Sequence, residues 1–120
     1  MMKLSEMMRL GSMQVPECHG PIYRYDLDGN VCGACAFGTL LFMQRDLGYP
    51  EMDLYRHPLV AKSAKHPACE GEMAHEGKVL DIIISLFETF RWTRPQIADW
   101  LETVEAQFEA EVNKQLVEVG

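Results

Sequence analysis

At 120 residues the chain has the length of one domain, 1–120, and can bury a core without a metal or disulfides to hold it together. A hydrophobic fraction of 48% beside 24% charged residues excludes wholesale disorder. The net charge of −7 repels phosphate backbones, and no apolar run approaches the roughly 20 residues of a membrane span, so neither nucleic acid nor a bilayer is an expected partner.

Leu4, Met7, Met8 and Gly11 recur at helical spacing, which predicts a short amphipathic helix that Gly11 stops near Leu10. The segment lacks the basic end, apolar core and cleavage site of a secretory signal, so a cytoplasmic location with reduced thiols is the expectation. Residues 12–21 show no periodicity and hold Pro16 and Pro21, so they read as a loop. From Ile22 to Cys32 two short runs flank Asp28-Gly29-Asn30, the pattern of a β-hairpin. The next segment puts Phe37, Leu40, Leu41 and Leu47 on one helical stripe that ends at Gly48, and its small first residues imply close packing.

A further helical turn is expected after Pro50, whereas Ala61 to Lys78 reads as a long solvated loop, rich in Lys, His, Glu and Gly. Val79, Leu80, Ile83, Ile84, Leu86, Phe87 and Phe90 then predict a helix buried on much of its circumference. Thr93 and Gln96 have the spacing of a capping box, with Pro95 in the first turn and Trp92 placed to pack on Ile97. The helix that follows carries Ile97, Leu101, Val104, Phe108, Val112, Leu116 and Val119 at intervals of three or four. It is long for a domain of this size, so its far apolar positions call for cover. Together these elements predict a mainly α domain with one short β-hairpin (22–32) and a long C-terminal helix. A homodimer through that helix is expected, with Trp100, Phe108, Val112 and Leu116 as contacts.

Three segments resemble an uncharacterised family of small bacterial and phage-encoded helical proteins. They are Leu4-Ser5-Glu6-Met7-Met8-Arg9-Leu10-Gly11-Ser12-Met13, Cys35-Ala36-Phe37-Gly38-Thr39, and Trp92-Thr93-Arg94-Pro95-Gln96-Ile97-Ala98-Asp99-Trp100-Leu101-Glu102. The resemblance implies a shared helical fold and no activity. Members tend to carry Cys-Pro-x-Cys where this chain has His66-Pro67-Ala68-Cys69, and histidines where it has Ser85 and Phe90.

The four cysteines and four histidines admit three readings. Structural zinc takes four N or S ligands as two close pairs, which Cys32 with Cys35 and His66 with Cys69 would supply, Cys18 and His19 being an alternative pair. A thiol-disulfide oxidoreductase would use Cys32 and Cys35 at a helix start, where the dipole favours the thiolate, although the expected fold lacks the alternating strands of that class. The third reading makes Cys35 a small buried residue and leaves the others as reduced thiols, with His57 and His75 solvated. Arg91 and Arg94 at the Phe90–Trp100 corner could meet phosphates in a helix-turn-helix, but the helix that would enter the groove carries Asp99, Glu102 and Glu105. With no recognisable catalytic set, the sequence points to a non-enzymatic interaction or accessory protein that self-associates, with zinc binding and thiol-disulfide exchange as alternatives.

Overall fold

The computed structural model describes residues 2–69 and 76–119, with side chains through Lys114. In chain order it contains α1 (Leu4–Gln14), β1 (Tyr23–Tyr25), β2 (Val31–Ala34), α2 (Ala36–Asp46), a 3₁₀ turn (Glu51–Arg56), β3 (Ser63–Lys65), β4 (Glu76–Lys78), α3 (Val79–Glu88) and α4 (Arg94–Val119). Helices dominate, and the strands form two separate antiparallel hairpins. Among the described residues no helix is long and apolar enough to cross a membrane.

α1 packs against both α4 and α2, and α3 closes the core beneath α2 and α4. Leu4, Met7, Met8, Leu40, Met43, Ile83, Leu86, Phe87, Ile97 and Leu101 are buried in one cluster. The helix α1 continues to Gln14, past the expected stop at Gly11. Gly11 serves the packing of two helices instead. A Cβ there would overlap the Thr39 side chain and sit 3.0 Å from Met43 Cγ, so its absence lets α1 lie close on α2.

The first hairpin has the expected place, with Tyr23 opposite Ala34 and Arg24 opposite Gly33. Asp26 organises its turn, one carboxylate oxygen accepting from the Asp28 and Asn30 amides while Gly29 supplies a φ of 83°. The loop before it is tied to β2, because the Ala34 amide donates to the Pro16 carbonyl and the Cys18 amide to the Ala34 carbonyl. α2 begins where a Gly38 side chain would collide with the Ile22 carbonyl, which accounts for the small residues there.

At the other end of α2, Gly48 adopts a φ of 85° while its amide donates to Arg45 and that of Tyr49 to Gln44. Leu47 caps this helix and is partly exposed, so it leaves the buried stripe on which its spacing placed it.

The expected loop 61–78 holds the second hairpin, β3 with β4, in which Ala64 faces Gly77; residues 70–75 lie outside the described residues. Each strand is three residues long with only its middle residue turned inward, so the alternation that marks a strand has a single beat. The hairpin delivers the chain to α3, where the Val79 and Leu80 amides donate to the Lys62 and Val60 carbonyls. Phe90, expected on the buried face of α3, lies beyond its end and is exposed. Arg91 then turns the corner with a φ of 58°. The capping box is formed as its spacing predicts: the Thr93 amide donates to Gln96 Oε1 at 2.8 Å and the Gln96 amide to Thr93 Oγ1 at 3.2 Å.

Candidate functional site

The predicted zinc ligands come from two stretches of the chain, the end of the first hairpin and the turn after β3. Cys32 lies half-buried in β2, and Cys35 is the N-cap of α2, its Sγ accepting from the Gly38 amide at 3.3 Å. His66 follows β3, and the Cys69 amide donates to its carbonyl, so His66-Pro67-Ala68-Cys69 is a tight turn. Among the described residues, which include all four, no group of three or more His, Cys, Asp or Glu side chains is placed to hold a metal ion.

Two histidines share one device. In His57-Pro58-Leu59 and His66-Pro67-Ala68 the amide two residues on donates to the imidazole Nδ1, at 3.1 and 3.2 Å. With Nδ1 accepting, the ring proton sits on Nε2. His57 Nε2 donates to the Met2 carbonyl at 2.9 Å, and His66 Nε2 to Ser85 Oγ at 3.0 Å. In this arrangement His66 donates to Ser85 rather than accepting from it. His66 is buried, with Phe90 at 5.1 Å between ring centroids. Burial lowers the pKa of His57, although the Met2 carbonyl and Glu105 pull the other way. His57 is half-buried rather than solvated, and His75 lies outside the described residues.

All four cysteines are unpaired thiols, Cys18 and Cys35 buried, Cys32 and Cys69 less so. Burial pushes the Cys35 thiol up, and the amides of Gly38 and Phe37 at the start of α2 offset this only in part. That is the reverse of what a redox-active cysteine needs.

A polar cluster that the spacing arguments missed sits where the Pro16–Pro21 loop meets the starts of α2 and α4. The Arg94 guanidinium, buried to 4% exposure, donates through Nη1 to Thr39 Oγ1 at 3.0 Å. Its Nε faces Glu17 Oε1 at 3.7 Å, an ion pair too long for a hydrogen bond, and the Arg94 amide donates to the same oxygen at 3.1 Å. Burial lowers the pKa of Arg94 while Glu17, Cys18 and Cys35 oppose the shift; a guanidinium stays charged through such a change. His19 completes the cluster, its Nε2 3.5 Å from Glu17 Oε2 and its ring stacked on Phe87 at 4.2 Å. Arg94 thus joins three segments and has no free face for a phosphate. Its position three residues before Ile97 and seven before Leu101 was the available signal, since it extends the buried stripe of α4.

The acidic residues of α4 are divided in their roles. Arg9 bonds both Asp99 (2.6 Å) and Glu102, Ser5 bonds Glu105, and Lys3 pairs with Glu109 at 3.2 Å. This ladder fastens α1 antiparallel along α4 and ends at Glu109, whereas α4 runs on to Val119. Of the expected partner contacts, Trp100 is half-buried against the core, Phe108 is half-buried with Lys62 Nζ 4.6 Å over its ring, and Val112 is exposed. The Leu116 side chain lies outside the described residues. Trp92 and Trp100 flank a shallow cavity together with Gln96, Asp99 and Thr103.

No protein-family description, curated protein or solved structure matches this chain.

Proposed function

We propose that the chain is a non-enzymatic interaction protein that self-associates through the far half of α4. The observation that carries this reading is that α4 outruns its cover: every residue from Glu109 to Lys114 is exposed, and the helix continues to Val119. The ten residues beyond Glu109 carry the helix about 15 Å past its last pairing with α1. In sequence the stripe Phe108, Val112, Leu116 and Val119 continues through this segment.

A second copy fits the stripe by charge. In an antiparallel pair centred between Val112 and Asn113, Glu111 of each copy falls opposite Lys114 of the other, which gives two complementary pairs. The contact is small, so the dimer is weak and concentration-dependent. Sedimentation equilibrium over a concentration series tests it. A monomer–dimer equilibrium that Val112→Asp abolishes supports the reading, and a monomer throughout the series sinks it.

Zinc binding is a second reading, favoured by the tight turn in which the Cys69 amide donates to the His66 carbonyl and holds the two residues close along the chain. Loading would require His66 to give up Ser85 or the Ala68 amide. Elemental analysis of purified protein decides it, stoichiometric zinc supporting the reading and metal-free folded protein opposing it.

A further inference from the structure

A partly enclosed cavity among the described residues lies away from the far half of α4, between the start of α1 and the end of α2. It measures about 440 Å³ and is lined by Met2, Met7, Gln44, Leu47, Tyr49 and Asp53. That volume falls in the range of small-molecule sites. Its walls have fixed origins. The left-handed Gly48 turns the chain so that the Tyr49 amide meets the Gln44 carbonyl at 2.9 Å, which brings Tyr49 beside Leu47 at the rim. The Met2 carbonyl is held by His57, which keeps the first residues of the chain against the opposite wall.

The lining has a definite chemistry. Met2, Met7 and Leu47 make it mainly apolar, and thioethers adapt to, and favour contact with, aromatic rings. Gln44, itself 6% exposed, and Tyr49 supply neutral hydrogen-bonding groups. Of the six residues Asp53 alone carries a charge. Its closest cation, Arg56 Nη1, is 3.9 Å away on a side chain that is 82% exposed, too loose a pairing to neutralise the carboxylate.

We infer that this cavity binds a small aromatic amine, its ring against Met2 and Leu47 above the buried Met7 and its ammonium at Asp53. The amine class follows from a carboxylate set in an apolar wall, which favours a cation and rejects an anion. An aromatic body matches the methionines better than a flexible chain, because it loses less freedom on binding. The site is independent of self-association, so either proposal can fail alone.

Three probes of one shape and different charge test the inference on the full chain: benzylamine, benzyl alcohol and benzoate. Binding is followed by NMR of the methionine methyl groups, with Met2 and Met7 assigned by substitution. Benzylamine is expected to shift both methyls to saturation, and benzyl alcohol to bind about tenfold more weakly, the margin between a charge-assisted and a neutral hydrogen bond. Benzoate is expected to produce no saturable shift. Asp53→Asn should bring benzylamine down to the level of the alcohol, and Leu47→Trp, which fills the rim, should weaken both. Absence of saturable shifts at Met2 and Met7 overturns the proposal. So does benzoate or benzyl alcohol binding as tightly as benzylamine, or Asp53→Asn leaving the order unchanged.

Discussion

Ser5 meets one carboxylate twice: its hydroxyl donates to Glu105 Oε1 at 2.5 Å and its amide to Oε2 at 3.2 Å, across a separation of 100 residues. Glu105 is buried, so these bonds replace the water its charge has lost. Ser5→Ala removes the shorter bond and leaves the carboxylate under-satisfied. It should lower stability by about 1–3 kcal/mol, read as a reduced urea midpoint with an unchanged slope. An unaltered midpoint would show that the bond contributes nothing.

Gly11 sits inside a helix, where alanine ordinarily stabilises by about 1 kcal/mol. Here the added methyl would meet the side chain of Thr39, which is itself fixed by bonds to the Cys35 carbonyl and Arg94. Overpacking of about 1–3 kcal/mol should win, so Gly11→Ala is expected to lower the melting temperature. A rise would mean that α1 can move off α2 at little cost.

His57 makes stability depend on pH. Its folded pKa lies below the ordinary 6.5, so the unfolded chain takes up the proton first as the pH falls. The contribution of His57 is complete above about pH 6.5 and is lost progressively from there down to the folded pKa. Denaturation midpoints of the parent and His57→Gln should therefore converge on acidification below that point. A constant gap across the range would contradict this account.

Arg91 occupies the left-handed region with a φ of 58°, which costs a residue bearing a Cβ about 1–2 kcal/mol. Glycine removes that strain but adds freedom to the unfolded chain, worth about 0.4–1 kcal/mol. Arg91→Gly should consequently stabilise the protein by about 0.5–1 kcal/mol in thermal unfolding. Lower stability would point to a contact of the Arg91 side chain outweighing its backbone.

The thiols should separate into two classes. Cys32 and Cys69 are partly exposed, whereas Cys18 and Cys35 are buried and the Cys35 thiol is pushed up by that burial. Alkylation followed by mass spectrometry should label the first pair quickly and the second only on unfolding. Rapid labelling of Cys35 would revive the redox reading.

What is legible in the sequence is what it encodes locally. The capping box of Thr93 and Gln96 spans three residues and depends on nothing distant. The turn at Asp28-Gly29 and the stop at Gly48 are of the same kind. Gly11 misleads because a glycine that ends a helix and one that admits a neighbouring helix look alike until Thr39 is placed beside it. The hairpin of β3 and β4 is hidden by the shortness of its strands.

The same division governs the polar residues. Glu105 lies in a row of exposed acids, and only Ser5, far away in the chain, distinguishes it from Glu102 or Glu109. Arg94 reads in sequence as a surface cation at a tight corner, yet it is held by Glu17 and Thr39 from two other segments. The cysteine and histidine spacing leaves a shared site and separate roles both open. The backbone amides of Leu59 and Ala68 hold His57 and His66 in local turns that the spacing does not reveal.

The ladder joining α1 to α4 runs from Arg9 with Asp99 at one end to Lys3 with Glu109 at the other. A chain made from its N-terminus therefore carries α1 through most of synthesis with Leu4, Met7 and Met8 lacking part of their final cover. Any product cut short before Trp100 would keep that apolar stripe open to chaperones and to other chains. Birth order and packing order run in opposite directions in this protein, and the helix that emerges first is the one that must wait longest.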